Sequence, residues 1–297
     1  MPISHLLLAL AVVVVWGMNF LFVSVGLTEI PPFLLCGLRF ALASIPAILF
    51  IKRPQSAFHW VVVYGLVMFG LQFAFLFLGM SLGMPPGIAS VLIQTQVFFS
   101  MFFAVIFLRE QPKWGQIIGA LVSFSGIALV ARHTDQDISL IGFFSILAAA
   151  ATWGLGNLIT KKLKGDRKSM LGLISWGSFA AAIPMLLLSF VVEGQHQWIE
   201  TAHRISWKGI GALCYIVYAS TWVGYGLWNW LLARYPVGMV APFTLLVPVV
   251  AMVGSVIFLG EAFYLWKLVA GLLVMSGLCI NVLGSRLAGI RARRAFS

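Results

Sequence analysis

Ten apolar runs, each about as long as a bilayer core is thick, leave this chain essentially one way to fold. They fall at 5–25, 32–51, 60–80, 86–108, 114–131, 139–160, 170–192, 207–232, 237–259 and 264–284. In hydrocarbon, water cannot satisfy backbone N–H and C=O groups, so runs of this length and composition become α-helices. Only 9% of the 297 residues are charged, against about 25% in a soluble chain. The longest polar stretches, Lys161–Ser169 and Glu193–Ser206, are too short for a separate soluble domain. The sequence therefore predicts an all-α membrane protein. The first run lacks a basic leader and a small-residue cleavage site, so it reads as a retained helix.

The chain also repeats itself. Trp16-Gly17-Met18-Asn19 returns as Trp153-Gly154-Leu155-Gly156-Asn157, and Pro46 returns as Pro184. Pro85-Pro86-Gly87 returns as Pro236-Val237-Gly238, and Ser125-Gly126 as Ser276-Gly277. Phe107-Leu108-Arg109-Glu110 returns as Phe258-Leu259-Gly260-Glu261. The offset is 137 or 138 early in the half and 151 later. This divides the chain into a first five-helix repeat (1–131), a second (139–284) and a basic tail (285–297).

Loop charges orient the segments. Ten crossings put both termini on one side, and that side receives fourteen Lys and Arg residues, from Lys52 and Arg53 to Arg293 and Arg294. The other receives four: Arg132, Arg204, Lys208 and Lys267. Basic loops stay in the cytoplasm, so both termini are expected there. Five is odd, so the second repeat is inverted relative to the first. Two inverted halves around a midplane site supply the two shapes needed for alternating access. The formal charge of +11 is spread through loops and the tail. That suits anionic lipid headgroups as partners rather than nucleic acid.

Polar side chains at membrane depth mark cavities or helix–helix contacts. Trp16 and Asn19 share a face in segment one, as do Trp153 and Asn157 in segment six. Trp222, Tyr225 and Asn229 form a stripe in segment eight. Gln72, Gln94, Gln96 and Thr244 complete the set. Gln94 and Gln96 are about 200° apart around their helix, so they cannot both face one cavity. Arg39 is the one charge well inside a segment; it can meet a substrate carboxylate or reach for headgroups. Deep Asp, Glu and His are missing, and Glu110 and Glu261 are the segment-end carboxylates. Intramembrane enzyme motifs are missing too, so no catalytic residues are assigned. Cys36, Cys214 and Cys279 have no pairing pattern and read as packing residues. His133, Asp135 and Asp137 are a weak metal signal, better read as a solvated linker; no cofactor or metal is expected. Segments five and ten carry small residues, Gly115, Gly119, Gly271 and Gly277, and read as scaffold or dimer surface. The state expected is monomer or homodimer.

The Trp-Gly-x-Asn-Phe of segment one, Gly37-Leu38-Arg39-Phe40, the Pro-x-Gly openings at 85 and 236 and the Glu endings at 110 and 261 together resemble the EamA-type carriers of the drug/metabolite transporter superfamily. The resemblance covers almost the whole chain. It implies the ten-helix inverted-repeat fold of that family, with a cavity lined by segments one, three, four, six, eight and nine. It also implies a bacterial inner-membrane exporter of small polar metabolites, amino acids or derivatives such as cysteine and O-acetylserine. Trp16, Asn19, Arg39, Gln72, Gln94, Trp153, Asn157, Trp222, Tyr225, Asn229 and Thr244 are then the candidate substrate-binding residues.

Overall fold

A computed structural model of the chain describes residues 1–133, 139–163, 170–235 and 237–294. Asp135 and Asp137 lie outside the described residues, as does most of the polar stretch 161–169. Among the described residues, seven helices are long and apolar enough to cross a membrane, and three shorter apolar helices complete a set of ten.

The helices are α1 (Ile3–Leu27), α2 (Pro32–Ile48), α3 (Phe58–Ser81), α4 (Pro86–Leu108), α5 (Trp114–Ala131), α6 (Leu140–Lys162) and α7 (Met170–Val192). After them come a short α8 (Gln195–Arg204), then α9 (Trp207–Arg234), α10 (Val237–Leu259) and α11 (Leu265–Arg294). Pro32 and Pro86 stand at first helical positions, where a missing N–H costs nothing. Backbone helix continues through 285–294, so this part of the basic tail extends α11.

Four of these helices depart from regular α geometry, and they do so in pairs. Leu66–Leu71 of α3 and Tyr215–Gly224 of α9 are π-helical. Ile93–Thr95 of α4 and Ala241–Leu246 of α10 are 3₁₀ turns. Each pair occupies matching places in the two halves. Such breaks free backbone carbonyls and often mark functional positions.

Packing follows the same symmetry. α1 packs on α10 as α6 packs on α4, and α1 packs on α9 as α6 packs on α3. α2 pairs with α7 and α5 with α11. Exchange of the halves leaves this set of pairings unchanged, and with five spans per half the equivalent helices cross in opposite directions. Glycine makes one of these contacts possible. A Cβ at Gly277 would run into the Gly119 carbonyl and the Ser123 side chain, so α5 and α11 meet backbone to backbone. Ser123 Oγ donates to Val274 O at 2.9 Å across the same seam.

One element was not expected. The polar stretch after α7 folds as α8, with Trp198 and Thr201 turned inward. Trp198 Nε1 donates to Ser189 Oγ at 2.8 Å, and Arg204 pairs with Glu200 on the exposed side at 2.6 Å.

Candidate functional site

The polar residues at membrane depth divide between a closed cluster and an open cavity. The closed cluster lies where α1, α2, α3 and α9 meet. Arg39 is 2% exposed and its guanidinium lies over the Phe73 ring, 4.1 Å from the centroid. Nη2 donates to Thr221 Oγ1 at 3.3 Å, while Nε and Nη1 are buried and have no hydrogen-bond partner among the described residues. The side chain therefore turns inward and does not reach headgroups. The π-helical stretch supplies its partner: Thr221 Oγ1 also donates to Ile216 O, five residues back, at 3.0 Å.

Trp16 Nε1 donates to Ser220 O, another carbonyl of that stretch, at 3.2 Å. The Trp16 ring packs against Tyr225 and Trp228, both with centroids 5.3 Å away. Gly224 leaves room for the indole. Trp222 is half-buried in the same stretch. Gln72 and Asn19 are buried, and Gln72 Oε1 and Asn19 Oδ1 have no hydrogen-bond partner. The Asn229 side chain lies outside the described residues.

Near the centre of the fold the two 3₁₀ turns meet. Gln94 Nε2 donates to Thr244 O at 3.2 Å, joining α4 to α10. Gln96 points elsewhere, as a 200° rotation requires. Its Oε1 accepts from Asn157 Nδ2 at 2.7 Å, and the same amide donates to Ser100 Oγ at 3.1 Å. Trp153 is half-buried one turn before Asn157. Between them, Gly154 lets α6 approach α4 at Phe99 and Ser100.

Asn157 lines the open cavity. It has a volume of about 210 Å³ and is walled by Val97, Ser100, Met101, Ala104 and Val105 of α4, then Glu110, Gln111 and Pro112. Gln116 of α5, Leu158 of α6 and Asn281 of α11 also line it. Among the candidate substrate-binding residues whose side chains are described, Asn157 alone is on this wall; Arg39, Trp16 and Tyr225 belong to the closed cluster. Ser100, Gln116 and Asn281 are wall residues that sequence reasoning passed over. Asn281 stands within α11, a helix that reads as scaffold in the sequence; in the structure it is 6% exposed and its Nδ2 has no hydrogen-bond partner among the described residues.

The corresponding place in the second half is filled. Only about 10 Å³ remains between Gly87, Met252, Ser255, Glu261 and Lys267. Lys267 Nζ donates to Glu261 Oε1 at 2.7 Å and to Ala262 O at 3.2 Å. Both members of this ion pair are largely buried.

At the end of the fold beyond Glu261, two carboxylates tie the halves together. Glu193 accepts from the Phe33 and Leu34 N–H groups at the start of α2, at 2.7 and 2.9 Å. Glu29 accepts from Ser206 Oγ and Ser206 N, both at 2.7 Å, just before α9. The Ser206 side-chain and backbone hydrogen bonds, in that order, hold the Glu29 carboxyl below its ordinary range.

Residues 3–132 and 140–283 each match the EamA-like transporter family. The chain belongs to that family. A Salmonella typhimurium protein named as a probable amino-acid metabolite efflux pump is 39% identical over 94% of this chain and 95% of its own length. The protein of the same name from Escherichia coli K12 is 37% identical with the same coverage. A probable terminal-alkyne amino-acid exporter of Streptantibioticus cattleyicolor is 30% identical over 66% of this chain and 64% of its own. A crystal structure of a protein 16% identical in sequence superposes with a TM-score of 0.64, covering 95% of this chain and 97% of its own. That likeness concerns the fold alone. The EamA match spans both repeats, and the protein is a multi-pass membrane transporter.

Proposed function

We propose that this transporter exports small polar metabolites, amino acids or derivatives such as cysteine and O-acetylserine, from the bacterial cytoplasm across the inner membrane. The observation that carries the reading is the cavity wall. Two amides, Asn157 and Asn281, and a carboxylate, Glu110, border about 210 Å³ at one end of the described bundle. That volume suits a molecule the size of a small amino acid, and the wall offers both donors and acceptors. The export names carried by relatives over most of the chain support the substrate class.

The excess of Lys and Arg in the loops on the N-terminal side supports a cytoplasmic position for both termini, and with them for the mouth of the cavity. An exporter loads its substrate there. The two repeats, 1–131 and 139–284, then rock about the seam at Gln94 and Thr244 and about α2 and α7. Arg39, Tyr225 and Trp16 become contacts once the closed cluster opens; the unpartnered Arg39 donors suit a carboxylate on its way out. Asn19, Gln72, Trp153, Trp222 and Asn229 complete that route. Lipids hold the basic end of α11, and the protein works as a monomer or homodimer without a covalent step.

The test is flux. Liposomes holding the purified protein and loaded with labelled serine, cysteine, O-acetylserine and a wider amino-acid panel are expected to release at least one of them faster than equally loaded liposomes without protein. No flux across the panel would refute the reading.

A further inference from the structure

We propose that Asn281 is a substrate contact and a specificity determinant of the cavity, its amide donating to the carboxylate of an amino acid that loads there. The inference rests on the exporter reading above and names the group that this wall recognises. It brings α11, which reads as scaffold in the sequence, into the binding site.

The hydrogen bonds along the wall single this residue out. An amide nitrogen has two hydrogens to give. Asn157 Nδ2 spends both, on Gln96 Oε1 at 2.7 Å and on Ser100 Oγ at 3.1 Å. Ser100 has one hydrogen, and its Oγ donates to Gln96 O at 2.7 Å. What Asn157 still has to offer is an acceptor, Oδ1. Asn281 is the reverse. Its Nδ2 is buried and has no hydrogen-bond partner among the described residues, while the residue borders about 210 Å³. A buried donor left unsatisfied costs free energy, and an ionised acceptor recovers more of it than a neutral one. The terminal torsion of asparagine is soft, so a small rotation aims the amide at an acceptor in the cavity. A donor on α11 and an acceptor on α6 fix the direction of the guest, with its carboxylate toward Asn281 and its ammonium toward Asn157.

Packing alone does not call for an amide here. The offset of 151 that matches Ser125-Gly126 to Ser276-Gly277 also matches Val130 to Asn281. Val130 is apolar and fully buried on α5. One half fills this place with a valine; the copy that borders the open cavity carries the amide. Gly119 holds that amide's starting point, since a Cβ there would lie 2.9 Å from Asn281 N.

Liposomes holding the full-length protein test this with pairs that differ by the carboxylate alone. Labelled L-serine is set beside ethanolamine and L-cysteine beside cysteamine, each rate taken above that of protein-free liposomes. If another member of the amino-acid panel is the exported one, it and its decarboxylated amine form the pair. The wild type is expected to export at least one amino acid about tenfold or more faster than its decarboxylated partner. Asn281→Val, which copies the first half, is expected to slow that amino acid about tenfold more than the amine. Asn281→Asp, close to isosteric, is expected to turn the preference toward the amine, because a carboxylate replaces the donor. A purely structural role would slow both members of a pair alike. Equal wild-type rates within each pair overturn the carboxylate contact and leave the exporter reading standing. So does an equal slowing of both by Asn281→Val, or an unchanged preference in Asn281→Asp. If Asn281→Val fails to assemble, the wild type and Asn281→Asp still decide. Absence of any flux, for these pairs and for the wider panel, overturns both readings.

Discussion

The Glu110 end and the Glu261 end share a backbone and differ in side chains, and the difference decides which is open. At one end Gln116 caps its own helix and a cavity remains; at the other Lys267 fills the space and neutralises the carboxylate. The matched asparagines differ in the same way. Asn157 finds Gln96 and Ser100, whereas the positions matching those two on α10 are Val247 and Ala251. Asn19 accordingly keeps a buried Oδ1 without a partner. Duplication built two similar halves, and a few substitutions set them apart: one half leaves a cavity of about 210 Å³, the other about 10 Å³.

The largest test of this contrast is Lys267→Met. It strands the Glu261 carboxylate in a buried site, and loss of one partner from such a pair costs about 3–5 kcal/mol. Unfolding in detergent, driven by denaturant or heat, is expected to show that loss; Glu110→Gln at the open end is expected to cost less than about 1 kcal/mol. Gly277→Ala comes next. A methyl group there meets the Gly119 carbonyl, so α5 and α11 are pushed apart at a cost of about 1–3 kcal/mol, read in the same experiment.

Glu193→Gln removes a charged cap from the start of α2 and is expected to cost about 1 kcal/mol. Glu29 gives its cap a pH dependence. Its carboxyl is held low, so the stability it adds is present above the ordinary carboxyl range and is lost as pH falls through the lowered value. Glu29→Gln is expected to flatten that acid limb and to leave stability at neutral pH only slightly lower. One change favours the fold. Arg109 holds a left-handed conformation that its twin Gly260 adopts freely, so Arg109→Gly is expected to stabilise by about 1 kcal/mol.

Much of this was legible in the amino-acid order. Apolar length located ten segments to within a few residues, because a bilayer permits little but helix, and the repeated Trp-Gly marked the two close approaches of α1 to α10 and α6 to α4. The π-helical stretch Tyr215–Gly224 and the 3₁₀ turn Ala241–Leu246 were not legible, since they answer to tertiary partners such as Trp16 and Gln94 rather than to local propensity. α8 was hidden by its polarity, although Trp198 and Thr201 have helical spacing. Arg39 could be located but not aimed: nothing in its neighbours along the chain places Phe73 beneath it and Thr221 beside it. Asn281 was missed because a single amide in an apolar helix says nothing about the wall it faces. The Glu–Lys pairing at 261 and 267 needed only the repeat offset to be noticed as an asymmetry, but its meaning required the cavity opposite.

Thiol labelling of the twin positions Ser100 and Ala251 tests the account most directly. With Cys36, Cys214 and Cys279 replaced by alanine, Ser100→Cys and Ala251→Cys are each exposed to a membrane-impermeant maleimide from either face of the membrane. Ser100→Cys is expected to react from the face that carries the N-terminus and to be protected by an exported amino acid. Ala251→Cys, at a fully buried position, is expected to stay unreacted from both faces. Equal labelling of the two, or labelling of Ser100→Cys that no substrate slows, would contradict the account.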